Sequence, residues 1–433
     1  MTDPRLTYRE IAWFFFPLLL NIQLMSISHT IINGALARMD NYITALAGIS
    51  VAMIVHLFIS SPSYQNHTVT IAMVRGRNSL KGVLIFIILV ALYVTLMLGL
   101  IAFTPLGDFV LITLLGTPAD VALEAQKALM VMTLLPFFTG MRGFSQGMLI
   151  RARRTGLVSL ATGIRVGGLF LFLLIGRFWF DGAQLGAFAL VSCVVTETLV
   201  ISWIAWQVHP PLMRHGGEKS TADILRYAFP LAYSSCLQQT IPLLISAIIG
   251  RLHDGTLALA AFGIIRGFLF LLAGPMRNLQ QTYMTLVKSV NDYRTLVYFS
   301  STVSAIMGGI ILLTAGPFHQ LILGQFLGIE IDLRNYLRLA FAACALFPFM
   351  YAASNLLRGW FSGAEQTHQL GRSTLIKSCF LLLLWWPLVS WQPPVSGIVV
   401  AITLLLAAEM LEAVYLYRQR NKQPASVRAL APY

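Results

Sequence analysis

Arg266 and Arg277 stand eleven residues apart in a stretch apolar enough to sit in lipid, and Asn278, Gln280 and Gln281 follow the second of them. On one continuous helix that spacing is three turns, which puts both guanidinium groups on one face about 16 Å apart. A planar guanidinium donates two parallel hydrogen bonds to a carboxylate or phosphate. A cavity lined this way concentrates anions and repels cations. Arg142 and Arg358 sit in two other apolar runs, each open to two readings: exposure to a cavity, or pairing with a buried acid. Asn21, His29, Asn33, Gln238 and Gln239 supply further donors and acceptors. Three acids, Glu197, Glu409 and Glu412, also fall within apolar runs. A charge near the centre of a bilayer is expensive without a partner. Arg165 with Glu197 and Lys377 with Glu409 therefore read as structural pairs, the alternative being that the carboxylates carry coupling protons. His56 and His67 are the other candidate proton carriers, against a plain packing role.

No nucleotide-binding loop, metal-ligand spacing or nucleophile with an evident base occurs in the chain. It reads as no enzyme, with no metal and no cofactor, and any work it does must draw on a gradient or on exchange. The four cysteines, Cys193, Cys236, Cys344 and Cys379, read as small core residues.

These side chains need elements to hold them, and composition says which. The 433 residues are 57% hydrophobic and 11% charged, with a mean hydropathy of +0.75. A soluble domain carries roughly 25% charged residues. Runs of about 20 apolar residues, enough to cross a bilayer, recur along the chain. They predict an all-α polytopic membrane protein with about twelve spans. The first six are expected near 12–36, 42–74, 82–104, 123–150, 157–176 and 184–208. The second six are expected near 225–250, 256–288, 295–318, 335–361, 372–391 and 396–418.

The net charge of +13 follows the positive-inside rule rather than a nucleic-acid footprint. Placing Arg5 and Arg9 in the cytoplasm puts Arg75, Arg77, Lys81, Arg151, Arg153, Arg154, Arg214, Lys219, Arg226, Lys288, Arg294 and Arg372 there too, with Arg418, Arg420, Lys422 and Arg428 of the tail. Both termini come out cytoplasmic, in a plasma (inner) membrane protein with no nucleic-acid partner.

The two halves repeat. "FPL" at Phe16–Leu18 recurs at Phe229–Leu231, an offset of 213 residues (229 − 16). At that offset Arg38 meets Arg251, Pro62 meets Pro275 and Asn78 meets Asn291; at an offset of 212, Arg165 meets Lys377 and Glu197 meets Glu409. Six spans per half make the repeats parallel, an arrangement that usually places a substrate site at the interface of the halves. The expected organisation is an N-terminal six-helix bundle (1–208), a linker (209–224), a C-terminal six-helix bundle (225–420) and a tail (421–433). Residues 56–74 align with 269–287. In each, a proline (Pro62, Pro275) precedes a polar cluster: Ser63, Tyr64, Gln65, Asn66 and His67 in one, Arg277, Asn278, Gln280 and Gln281 in the other. The clusters are expected to line a central cavity; the alternatives are interhelical hydrogen bonding or contact with headgroups.

The duplicated plan resembles the MOP flippase superfamily, which includes the MATE multidrug exporters, and within it most resembles the progressive-ankylosis transporters. The resemblance rests on "FFFPLLLNIQLM", "LLPFFTGMRGFSQGML", "FPLAYSSCLQQTIPLLIS", "ALAAFGI" with "GPM", and "AAEMLEAVYLYRQRNK". It implies a V-shaped pair of bundles that alternates its access and exports a small molecule. The progressive-ankylosis side implies small anions such as citrate or pyrophosphate. MATE relatives imply cationic drugs, and other superfamily members imply lipid-linked oligosaccharides. MATE-type sodium or proton coupling commonly uses acids in the first, seventh and tenth spans. Here the first has none before Asp40, and the seventh and tenth have none. The coupling ion, proton or sodium, stays open.

Overall fold

The computed structural model describes residues 6–208, 218–326 and 329–423. Part of the expected linker (209–217), Arg5, Arg214, and Arg428 with the rest of the tail beyond 423 lie outside the described residues. The described chain is helical throughout. Its first half contains α1 (Tyr8–Leu36), α2 (Tyr42–Ile59), α3 (Asn66–Met73), α4 (Arg77–Phe103), α5 (Ala119–Met132), α6 (Leu135–Arg151), α7 (Thr155–Gly176) and α8 (Gly182–Val208). Its second contains α9 (Thr221–Ile249), α10 (Gly255–Leu272), α11 (Asn278–Leu286), α12 (Val290–Ala315), α13 (Ile331–Ala343), α14 (Phe347–Gly363), α15 (Thr367–Trp391) and α16 (Gly397–Asn421).

Eleven helices are long and apolar enough to cross a membrane, and the bent pair α5–α6 makes a twelfth, with 47° between its parts. The duplication is visible in helix boundaries. α2 and α10 begin 213 residues apart, as do α4 and α12; α6 and α14 begin 212 apart, as do α7 and α15. α4 has 27 residues and α12 has 26, so the third span absorbs the one-residue change in offset.

The second span of each half is not the one continuous helix that the sequence suggests. α2 gives way to a 3-10 turn at Ser61–Gln65 and then α3; α10 gives way to a 3-10 turn at Gly274–Arg277 and then α11. Pro62 and Pro275 sit at the start of these turns. Each removes a backbone donor and clashes with the preceding turn. Prolines also open the later part of the fourth span of each half, Pro136 in α6 and Pro348 in α14, and in the first half the span bends there. The connections before those spans contain π-helical segments, Phe109–Leu114 and Gln320–Phe326, which the sequence does not announce.

Packing divides the chain into two units. Unit N is Phe16–Cys236, and unit C is Met1–Phe15 with Leu237–Tyr433. These are not the sequence halves: unit C includes the first turns of α1, and unit N includes the first turns of α9. In unit C the Leu6 N–H donates to Asp292 Oδ1 at 3.1 Å, beside the Ser289–Asp292 capping box that starts α12. In unit N the Glu218 carboxylate accepts from the Ser79 N–H at 2.9 Å, at the start of α4. Ser79 and Asp292 are 213 apart, so matching positions are tied in both units, with donor and acceptor exchanged.

Inside each unit the broken second span lies against the fourth. Glycines make the close approach possible. A Cβ on Gly147 would lie 2.6 Å from Thr70 Cβ, and one on Gly359 would lie 2.7 Å from Tyr283 Cβ. Small residues at such contacts are the usual means of bringing membrane helices together. Large apolar side chains such as Leu89, Leu96, Phe170, Leu383 and Trp386 point outward, as lipid contact requires.

Candidate functional site

Two clusters of buried charge lie in the structure, one per unit. In unit N, α6, α7 and α8 bring Arg142, Arg165 and Glu197 together. Arg142 Nη1 donates to Glu197 Oε2 at 2.8 Å, and Arg165 Nη1 donates to the same oxygen at 3.1 Å. Thr162 Oγ1 lies 2.6 Å from the other carboxylate oxygen and 2.5 Å from Asn21 Oδ1. A hydroxyl carries one proton, so Thr162 donates to one of these two oxygens at a time. Glu197 is fully buried, and Arg142 and Arg165 retain 7% and 1% of their surface. His29 lies within electrostatic range of Arg165, and His56 within range of His29 and Arg142. His56 Nδ1 is 3.1 Å from Ser60 Oγ.

In unit C, α14, α15 and α16 assemble Arg358, Lys377, Glu409 and Glu412. Lys377 donates to both carboxylates, at 3.1 Å to Glu412 Oε2. Arg358 Nε donates to Glu412 Oε1 at 2.7 Å and Nη2 donates to Thr374 Oγ1 at 2.9 Å. With its amide oriented oxygen-first, Gln238 accepts from Arg358 Nη1 at 3.1 Å and Nη2 at 2.6 Å. This cluster is balanced, two cations against two acids, and its donors are engaged.

The sequence-stated pairs Arg165–Glu197 and Lys377–Glu409 are thus both in contact. Of the two readings of Arg142 and Arg358, the structure shows pairing: each is held by a carboxylate. Glu412 is the partner that the sequence left unassigned. Thr162 and Thr374 were missed, although they are 212 apart and each lies three residues before the matched cation.

The polar insets also separate by position. Asn66, Asn278, Gln280 and Gln281 are buried inside their units. Asn66 Nδ2 donates to the Gly140 carbonyl at 3.4 Å and Gln280 Nε2 donates to Ser362 Oγ at 2.9 Å, so both reach from the second span to the fourth. Asn278 Nδ2 and Gln281 Oε1 are buried without a partner. Tyr64, His67 and Gln239 are half-buried, and Asn33 is exposed. Arg266 and Arg277 are both exposed. Neither has an acid partner among the described residues. They do not lie on one continuous helix: the chain leaves the α-helix at Leu272 and turns through Gly274–Arg277 before α11 begins.

The charges of these inner segments are unequal. Among the described residues these segments carry Arg142, Arg165, Arg266, Arg277, Arg358 and Lys377 but, as acids, Glu197, Glu409 and Glu412. No group of three or more His, Cys, Asp or Glu able to hold a metal occurs among the described residues.

Comparison with known proteins agrees with this architecture. The sequence model of the progressive ankylosis protein family matches residues 4–175. No curated protein sequence matches significantly. Among solved structures, the eukaryotic MATE transporter AtDTX14 is similar with a TM-score of 0.72 at 14% identity, covering 97% of this chain and 98% of that one. A MOP superfamily transporter from Pyrococcus furiosus, described as having a binding pocket of reversed polarity, gives 0.69 at 13% identity over 95% and 94%. The Vibrio cholerae MATE transporter VcmN gives 0.71 at 14% identity over 96% and 97%. The chain therefore has the fold of the MATE transporters of the MOP superfamily, and over residues 4–175 it carries the sequence pattern of the progressive ankylosis proteins.

Proposed function

We infer that the protein is a secondary transporter that exports small organic or phosphate-bearing anions. The observation that carries this reading is the charge imbalance. Among the described residues Arg266 and Arg277 stand exposed in the broken second span with no acid paired to them, while Glu197, Glu409 and Glu412 are all buried and engaged by bases. Unpartnered cations at membrane depth mark the path of an anion, and arginine forks suit carboxylate and phosphate. The fold supports alternating access, and the progressive ankylosis match over residues 4–175 agrees with the resemblance from which a small anion is expected. Energy comes from a gradient or from exchange.

The test is uptake of labelled citrate and pyrophosphate into proteoliposomes by the wild type, Arg266→Ala and Arg277→Ala. Uptake of either anion by the wild type, lost in the Arg277 variant, supports the reading. Movement of a cationic dye but of neither anion, unaffected by either substitution, refutes it in favour of a MATE-like drug exporter. Movement of a lipid-linked sugar alone refutes it in favour of a flippase.

A further inference from the structure

We propose that the Arg142–Arg165–Glu197 cluster of unit N is a binding site for a small oxyanion group, a carboxylate or a phosphate. The inference rests on the anion reading above for the class of ligand, but on a different observation for the place. The two buried clusters share the matched pairs Arg165/Lys377 and Glu197/Glu409, place the fourth-span arginine one turn apart, and differ further in two respects.

The first difference is charge. Unit C sets Arg358 and Lys377 against Glu409 and Glu412 and is neutral. Unit N sets two arginines against one carboxylate and holds a surplus of one positive charge, with both guanidinium groups more than nine-tenths buried. No second carboxylate pairs with either arginine among the described residues, and His29 and His56 add no negative charge.

The second difference is donor supply. Two guanidinium groups present ten N–H donors. Each spends one on the same Glu197 oxygen, and Arg165 also lies beside the Cys193 thiol. Arg142 Nε and Arg165 Nε are buried with no partner at all. In unit C, Arg358 donates from Nε and Nη2, and Gln238 accepts from its remaining nitrogen.

Ordered water would satisfy the idle N–H groups, but it would leave a net positive charge enclosed, which is costly in a low-dielectric interior. A monoanionic group satisfies both demands together. Oxyanions fit better than a halide because guanidinium forks present donors in parallel pairs.

The experiment is equilibrium binding to the purified full-length protein in detergent, with phosphate, citrate and chloride as separate probes. The variants are Arg142→Gln and the double variant Arg142→Gln/Glu197→Gln. Removing Arg142 alone makes the cluster neutral, and oxyanion binding should weaken by about tenfold or more. Removing the acid as well restores the single positive charge on Arg165, and binding should return in part. A merely structural role for Arg142 would not produce that recovery, and elution as a single monodisperse peak confirms that each variant is folded. Failure of phosphate and citrate to bind the wild type, or equal binding by Arg142→Gln, overturns the proposal. Binding of chloride alone also overturns it, since it shows a halide site. Binding and uptake are separate readouts: oxyanion binding at Arg142 without uptake sinks the transport reading alone, and uptake without such binding sinks this one alone.

Discussion

Replacing Glu197 by glutamine keeps the volume of the side chain and removes its charge. In the native cluster that carboxylate receives Arg142 at 2.8 Å, Arg165 at 3.1 Å and Thr162 at 2.6 Å, and has no exposed surface. The variant leaves two enclosed guanidinium groups facing each other with no counter-charge. Breaking a buried ion pair by removing one partner costs about 3–5 kcal/mol. For a unit of this size, each kcal/mol moves the midpoint by roughly 2–4 °C, so the unfolding temperature should fall by roughly 6–20 °C. Arg142→Gln is the informative comparison. It removes one charge-assisted hydrogen bond, worth about 1.5–3 kcal/mol, but leaves Arg165 and Glu197 balanced. Its loss should be about half that of Glu197→Gln. Thermal unfolding in detergent, followed by tryptophan fluorescence, measures both. If Arg142→Gln costs as much as Glu197→Gln, or if Glu197→Gln is silent, net charge is not what governs this cluster and the reasoning fails.

The second cluster gives a parallel test. Glu412→Gln takes the carboxylate from Arg358 and leaves Lys377 to Glu409, so it should lose about 3–5 kcal/mol. Glu409→Gln leaves both cations on Glu412 and should lose distinctly less, read from the same melts. Gly147→Ala and Gly359→Ala should each cost about 1–3 kcal/mol by forcing the fourth span away from Thr70 and Tyr283 respectively; equal melting of variants and wild type would contradict the close approach. Hydrogen bonds from the Ser79 and Asn78 N–H groups hold the Glu218 carboxyl below its ordinary range. A depressed carboxylate stabilises above its unfolded pKa and loses that contribution as pH falls through its folded one. Protection of the Ser79 amide in hydrogen exchange, corrected for intrinsic exchange rates, should thus persist at neutral pH, decline below about pH 4 and be absent at every pH in Glu218→Ala.

The span pattern and the duplication were legible because both are written in local composition and in a constant offset. The second spans were expected as single runs, and Pro62 and Pro275 stand where each instead breaks into a 3-10 turn. Arg165–Glu197 and Lys377–Glu409 were legible because the repeat matched them. Arg142 and Arg358 were harder, since the repeat places Ser354 opposite Arg142 and Gln146 opposite Arg358. The fourth-span cation sits one turn later in the second half, so no matched pair pointed to its acid. The role of the amide insets was not legible for another reason. A buried Asn or Gln that bridges two helices and one that faces a cavity have the same residue types at the same spacing, and only packing separates them. The division into units was illegible because its contacts join residues hundreds of positions apart.

That division bears on how the chain is made. The Leu6 N–H meets Asp292 across 286 residues. At about 5–20 residues per second, synthesis takes roughly 15–60 seconds to deliver the partner of a segment that emerged first. Unit N likewise waits for Glu218 and the first turns of α9 before it is complete. Neither half can therefore finish folding as it is inserted and then simply dock with the other. Until its partner is made, each helix start relies on water for the hydrogen bond that the partner later supplies, and a chain cut short within the linker lacks a piece of unit N.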